Sequence, residues 1–303
     1  MIGPSITVRI PATTANLGPG FDCLGLALDL WNQAVFSIDG DGLDIAIQGE
    51  GQNILPRGRE NQIARAFYAF FEARRLPAPA GLHIRCNNQI PLGSGLGSSA
   101  AACLTGLMAA NGLSGSPASI DEILYLAMEI EGHPDNVAAA LLGGLVVVVK
   151  NENILLTRRF DVPDLHVAVV IPEIDLPTGV ARAALPSQVP MKDAVFNLGR
   201  TVLVCDAIRT GNYDLLGQVM VDRLHQPYRL SLIDGSRQAL QAALQAGASA
   251  AAISGAGPGL IAFSSQAADK AAEAMAAVFA AHHIPSRKLL LSSSNQGAVS
   301  DII

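Results

Sequence analysis

Residues 91–101 read PLGSGLGSSAA. Gly93, Gly95 and Gly97 carry no Cβ, so this stretch can turn tightly and bring backbone N–H groups close to an anion. Ser98 and Ser99 stand where a segment rich in Ala, Leu and Met begins. That segment, stopped at Asn111-Gly112, is predicted to be a buried helix. Free N–H donors, hydroxyls and the positive end of a helix dipole then converge, which is the physics of a phosphate site. The glycines alone allow a second reading equally well, a turn that caps a buried helix. Two common phosphate loops are excluded in detail. A Walker loop ends in Gly-Lys-Ser/Thr, whereas Gly97 is followed directly by Ser98, and a Rossmann fingerprint would need glycine at position 98. What remains is a lysine-free cradle over Pro91, Leu92, Gly93, Ser94, Gly95, Leu96, Gly97, Ser98, Ser99, Ala100 and Ala101.

Around this loop strands and helices mix without a strict βαβ rhythm, so the fold class is α+β rather than doubly wound. Residues 5–10 alternate as a half-buried strand, and residues 11–22 form a loop. Residues 35–38 and 43–47 read as short strands around a turn at 39–42. Ile63, Phe67, Phe70 and Phe71 recur at helical spacing, which predicts a helix over 61–74. A strand over 82–86 follows. Beyond the glycine loop come a helix over 120–131, a β-branched strand over 145–149 and a candidate boundary at 161–164. The second part carries a strand at 166–171 and helices near 195–210, 213–221, 235–246 and 266–282. Two strands, 250–254 and 259–263, are joined there by a glycine turn. No internal repeat or low-complexity linker is visible.

Composition narrows the function classes. The 303 residues are 50% hydrophobic and 15% charged, with a net charge of −6. A large core is therefore available, and disorder is excluded. No Lys/Arg run is present, which disfavours a nucleic-acid partner. An anionic ligand must be met locally, by helix ends, backbone N–H groups and single arginines. Cys23, Cys86, Cys103 and Cys205 make no Cys-x-x-Cys pair and stand among apolar or small neighbours, as buried reduced thiols do. The opening MIGPSITVRIPA lacks the basic start and long apolar run of a secretory signal. No apolar run approaches the ~20 residues that span a bilayer. The expectation is a cytoplasmic chain with no membrane partner.

Three further segments carry chemistry. Residues 11–28 place Thr13, Thr14, Asn16 and Asp22 in a stretch bent by Gly18, Pro19 and Gly20. An amide and a carboxylate so placed can hold a hydroxyl and an ammonium group, or can bond their own backbone as turn residues do. Residues 128–136, MEIEGHPDN, end a helix on Glu129 and Glu131 and continue into His133, Asp135 and Asn136 in a loop. A carboxylate beside phosphates suits Mg²⁺, which takes oxygen ligands, although a helix end can equally present glutamates to solvent. Residues 253–263, ISGAGPGLIAF, carry Gly255, Gly257 and Gly259 between two apolar runs, either a tight hairpin or a second backbone cradle.

Taken in order, ATTANLGPGFDCLGLALDLWN (12–32), IPLGSGLGSSAAA (90–102), EGHPDNVAAALLGGLVV (131–147), ARAALP (181–186), QPYR (226–229) and ISGAGPG (253–259) resemble the GHMP kinase superfamily, and within it the homoserine kinases. The resemblance covers nearly the whole chain. One departure is visible: the family motif continues Gly-Pro-Thr, where this chain has Gly257-Pro258-Gly259.

The resemblance implies a ribosomal-protein-S5-like α/β domain over 1–162 and a ferredoxin-like α+β domain over 163–303, with the substrate site between them. It implies ATP and Mg²⁺, direct phosphoryl transfer to the side-chain hydroxyl of L-homoserine for threonine biosynthesis, and a homodimer. Ser98 and Ser99 would contact phosphate, with Ser99 and Glu129 binding the metal, and Asn61 would meet the adenine. Asn16, Asp22, His133, Asp135, Asn136 and Gly257 would line the amino-acid pocket, with Asn136 orienting the hydroxyl. Arg182 and Arg229 would clamp the carboxylate, which a bidentate guanidinium suits. Two rival expectations remain: a kinase of this superfamily for another alcohol such as mevalonate, and a non-catalytic metabolite sensor.

Overall fold

The computed structural model describes residues 5–152, 154–266 and 268–302. Strand β1 (Ser5–Ala15) runs antiparallel to β2 (Leu24–Ser37), with a register shift between Pro11 and Ala12. Proline has no N–H to give the ladder, so a bulge forms there. The strand expected over 5–10 passes this bulge and reaches Ala15, which takes in the Thr13-Thr14 stretch expected to be loop.

β3 (Gly42–Gly49), α1 (Gln62–Ala73) and β4 (Gly81–Asn88) follow. β4 pairs antiparallel with β2 and parallel with β3. Segments 35–38 and 43–47 are therefore not a hairpin. β4 lies between them, and α1 is the crossover that a parallel pair requires. α2 (Ser98–Leu113) and α4 (Asp135–Leu142) pack on β1 and β2, and α3 (Ile120–Glu131) packs on α2 and α4. Asp135 and Asn136, expected in a loop, are the first residues of α4. The run Asn-Val-Ala-Ala-Ala-Leu-Leu favours helix, and Asp135 in its first turn complements the dipole. β5 (Leu145–Asn151) pairs with the start of β2 and with β6 (Ile154–Phe160).

The chain then builds β7 (His166–Pro172), α5 (Thr178–Ala183), α6 (Met191–Thr210), α7 (Tyr213–Val219), α8 (Gln226–Arg229), α9 (Ser236–Gln245), β8 (Ala250–Ile253), β9 (Leu260–Phe263), α10 (Ala268–Ala281), β10 (Ser286–Ser292) and β11 (Val299–Ile302). Ala267, within the helix expected over 266–282, lies outside the described residues, as do residues 1–4 of the opening segment. The second sheet has the order β10-β7-β9-β8. β11 does not join it. It returns to the first, 7-stranded sheet and pairs antiparallel with β1. Helices and mixed sheets together make the α+β architecture expected.

The period-2 alternation of β7 explains how the two sheets meet. Val167 and Val169 face the large core shared with the first sheet, while Ala168 and Val170 face a second core under α9 and α10. One face of the second sheet thus seals the first core. Among the described residues no helix is long and apolar enough to cross a membrane.

Candidate active site

The glycine loop meets the structure at three points. Gly93, Gly95 and Gly97 adopt φ of 60°, 77° and 70°, a region that non-glycine residues rarely visit. Gly97 also cannot carry a side chain for lack of room: its Cβ would lie 2.1 Å from Thr13 Oγ1. As the N-cap of α2 it offers no side-chain cap, so the first N–H groups of a long buried helix face the cleft unpaired by any side chain. The phosphate-cradle reading and the helix-cap reading are therefore the same feature.

The N-terminal motif and the C-terminal glycine motif hold this loop from both sides. Thr13 N donates to Leu96 O at 3.1 Å, and Thr13 Oγ1 donates to Asn136 Oδ1 at 2.8 Å. Ser254 Oγ donates to Gly95 O at 2.7 Å and lies 3.0 Å from Thr14 Oγ1. Asn16, at φ 69°, accepts from Asp22 N at 2.9 Å and donates to Gly255 O at 2.7 Å. A Cβ on Gly259 would meet Ser94 O at 2.2 Å. The lack of a side chain at position 259 thus leaves room for Ser94 O, beside the Ser254–Gly95 contact.

Together these segments line a cavity of about 280 Å³. Around it stand Asn16, Asp22, Gly93–Gly95, Gly97–Ala100, Glu131, His133, Asp135, Asn136, Arg182, Arg229 and Gly257. The substrate-pocket residues named from the sequence are therefore brought together.

Other candidates are not: of the glycine loop, Pro91, Leu92, Leu96 and Ala101 do not line the cavity, and Glu129 and Asn61 stand apart from it. Glu129 is half exposed and pairs with Lys150 at 3.4 Å, outside the cavity. Glu131 faces the cavity instead: its Oε1 accepts from Ser99 Oγ at 3.1 Å and from Gln62 Nε2 at 2.6 Å. The two glutamates are two positions apart on α3, so only one can face the loop. Asn61 is buried as the N-cap of α1, accepting from Ile63 N at 2.9 Å and donating to Pro56 O at 2.7 Å. Its amide is spent on the helix start, and it does not line the cavity.

Charge in the cavity is arranged in layers. Arg182 and Asp22 form a bidentate pair, both contacts at 2.9 Å and both side chains partly exposed. The hydrogen bonds that Arg182 donates to Asp22 hold the guanidinium above its ordinary pKa. Arg229 is 1% exposed and touches only neutral groups: Ala181 O at 3.4 Å, Gly255 O at 3.3 Å and His225 Nδ1 at 3.3 Å. Burial lowers its pKa, with Asp22 opposing the shift. Among the described residues it has no carboxylate in an ion pair. A buried cation on the wall of a cavity, with carboxylates nearby but none in direct contact, is suited to meet an anion. Burial also pushes the Asp135 carboxyl up, with His133 opposing. Burial likewise raises Glu131, against the Ser99 hydrogen bond. Among the described residues, the buried His133 Nδ1 has no hydrogen-bond partner.

Sequence reasoning missed several participants. Gln62 joins Ser99 Oγ, at 2.7 Å, to Glu131; its signal was its place beside the predicted start of α1. Phe21 sits under both arginines, 5.7 Å from Arg182 and 5.0 Å from Arg229. It lies inside the quoted N-terminal motif, where an aromatic among turn residues was the clue. Asp175, Leu176, Pro177 and Thr178 also line the cavity, on a connection that no periodic pattern marks.

Comparison with known proteins places this architecture. The family model described as GHMP kinases N terminal domain matches residues 61–144, and that described as GHMP kinases C terminal matches residues 205–281. A curated homoserine kinase of Moorella thermoacetica is 45% identical over 293 residues, covering 96% of this chain and 98% of that protein. One from a Synechococcus species is 44% identical over 303 residues, covering 98% and 96%. The crystal structure of homoserine kinase from Cytophaga hutchinsonii superposes with a TM-score of 0.86 at 33% identity, covering 99% of this chain and 97% of that one. A mevalonate kinase structure, at 15% identity and a TM-score of 0.70 over 96% and 99% of the two chains, shares the fold.

Proposed function

The chain belongs to the GHMP kinase family, and on that premise we propose that it transfers the γ-phosphoryl group of ATP to the side-chain hydroxyl of L-homoserine. The product is O-phospho-L-homoserine, an intermediate of threonine biosynthesis. The observation that carries this reading is the buried Arg229, with no carboxylate in direct contact among the described residues, in the same cavity as the open N-terminus of α2. One end of the cavity suits phosphates and the other suits a carboxylate. The relatives' name supports the same substrate.

Homoserine is a zwitterion with a hydroxyl tail. Its carboxylate suits Arg229, with Arg182 closing on it. Its ammonium group suits Asp22 and Asp135. The substrate would then exchange the Asp22–Arg182 pair for a pair at each of its own ends, which limits the net electrostatic loss on entry. Asn136, its side chain fixed by Thr13, lies between this pocket and Gly97 and is suited to orient the hydroxyl. His133 supplies an unused ring nitrogen. ATP phosphates would lie on residues 93–101, with Ser98 at the start of α2.

Phosphoryl transfer asks a protein mainly for positioning and charge stabilisation, and no side chain need act as a dedicated base. Magnesium fits the donors present: Ser99 and Glu131 are an all-oxygen pair at the phosphate end. An ion there would take its remaining ligands from phosphate oxygens and water. When bound it would neutralise phosphate charge.

A coupled ADP-release assay with homoserine, threonine, serine and mevalonate in parallel tests the reading. Turnover should be highest with homoserine. Preference for mevalonate, or no turnover with any of the four, would overturn it.

We further propose that the division near residue 162 separates two lobes, with β11 added to the first, and that the enzyme works in the cytoplasm, where its four unpaired cysteines stay reduced. A homodimer is proposed through α6. Met191, Val195, Leu198 and Val202 form an exposed apolar stripe at helical spacing. An antiparallel second copy would cover the stripe, setting Met191 opposite Val202 and Val195 opposite Leu198. Leu198→Glu with Val202→Glu should convert the dimer to monomer in sedimentation equilibrium. An unchanged mass would exclude this face.

A further inference from the structure

We propose that His225 is a positioning residue for Arg229: as a neutral imidazole protonated on Nε2, it holds the guanidinium in place with its Nδ1 lone pair. The proposal deepens the functional reading above and rests on it.

The hydrogen bonds define the tautomer. An arginine has donors only, so the 3.3 Å contact from Arg229 Nη1 requires an unprotonated Nδ1. On the other side of the ring, Nε2 lies 2.8 Å from Gly18 O, a pure acceptor, so Nε2 carries the proton. The ring is fully buried and stacks on Phe21 with centroids 5.0 Å apart. Phe21 is the same ring that Arg229 overlies. Imidazole, phenyl and guanidinium thus form one packed unit on the cavity wall.

The backbone of His225 is fixed with equal care. The buried Asp222 carboxylate accepts from His225 N at 2.9 Å, Gln226 N at 2.6 Å, Leu224 N at 3.0 Å and Asn197 Nδ2 at 2.6 Å. It ties the start of α8 to α6 and leaves the ring to face Arg229.

The charges around the ring compete. Burial holds the His225 pKa below the ordinary 6.5, and Arg229 adds to this, while Asp222, the Gly18 carbonyl and Asp22 oppose it. Asp222 Oδ2 is 3.7 Å from Nε2, on the side already protonated. A second proton would have to go to Nδ1. It would remove the acceptor from Arg229 and set two cations against each other in a dry site. As pH falls below the usual histidine range, Arg229 is released and the carboxylate pocket weakens. A depressed base also means that the unfolded chain binds more protons there, so stability falls over the same acid window.

The test uses the full chain. Nitrogen-15 NMR of the histidine rings at about pH 7.5, with His225 assigned by the loss of its signals in a variant, reads the tautomer with no substrate present. A neutral ring protonated on Nε2 is expected. An imidazolium or a ring protonated on Nδ1 overturns the proposal whatever the substrate proves to be. Kinetics supply the second reading. His225→Phe keeps the ring stack but has no acceptor. Its homoserine KM should rise roughly ten- to a hundred-fold, the worth of one hydrogen bond to a charged group, with kcat and the ATP KM within about two-fold. His225→Asn, which keeps an acceptor toward Arg229, should recover most of that loss. In wild type, kcat/KM for homoserine should decline on the acid side, and His225→Asn should move that limb to lower pH, leaving the part set by the Asp135 and Glu131 carboxyls. An unchanged KM in His225→Phe, or an acid limb at the wild-type position in His225→Asn, sinks the role of His225 alone. Wild type that turns over none of the amino acids sinks the functional reading instead.

Discussion

Arg229→Met should raise the homoserine KM by roughly a hundred- to a thousand-fold and leave the ATP KM within about two-fold, as loss of a buried, charge-assisted contact predicts. The size follows from burial. At 1% exposure the guanidinium meets its anion with little solvent screening, so deleting it removes the pair and strands the carboxylate in a dry pocket. Stability should respond differently. The folded protein holds this cation with only neutral partners, so its removal relieves a desolvation penalty. Against that, Ala181 O, Gly255 O and His225 Nδ1 each lose a donor. These opposing terms should keep the net change within about 2 kcal/mol, readable as a small shift in Tm. Arg182→Met makes the contrast. Arg182 is 43% exposed in its side chain and paired with Asp22, so its loss should raise the homoserine KM by only about ten-fold. Equal effects of the two arginines, or a parallel rise in the ATP KM, would break the carboxylate assignment.

Glu131→Gln should reduce kcat by roughly a hundred- to a thousand-fold, the range for removing one group that stabilises charge in the transition state. It should also raise the Mg²⁺ concentration needed for half-maximal rate. Glutamine keeps the size of the side chain and can still accept from Ser99 and Gln62, so the fold around α3 should persist. Glu129→Gln should change kcat by less than about two-fold, because an exposed pair with Lys150 contributes little. The opposite ranking of the two variants would restore Glu129 as the metal carboxylate.

The confusion between these glutamates marks where sequence reasoning stops. Both lie in the same quoted segment, and only the rotation of α3 against α2 decides which one meets Ser99. Local signals served well where the physics is local. Asn61 as a helix start, the glycine loop and the β-branched strands all follow from capping, φ preferences and side-chain alternation. Residues 133–136 failed for a related reason: a histidine-proline turn hides that Asp135 begins a helix. Strand pairing failed because it is not local. Nothing in residues 35–47 announces that β4 will enter between their two strands. The partners of Arg229 were equally hidden, since Phe21, Ala181, His225 and Gly255 come from four separate parts of the chain.

The pairing of Ile6–Arg9 with Val299–Ile302 has a consequence for biosynthesis. A ribosome exposes residues 5–9 early, yet their hydrogen-bonding partner emerges after nearly 300 further residues have been added. Throughout that interval the edge of the first sheet carries unpaired N–H and C=O groups, a template for unwanted strand addition. Contacts of such long sequence separation also slow folding. Completion of the first sheet therefore waits for β11, and until it arrives the nascent chain is exposed to mispairing and to chaperone capture along β1.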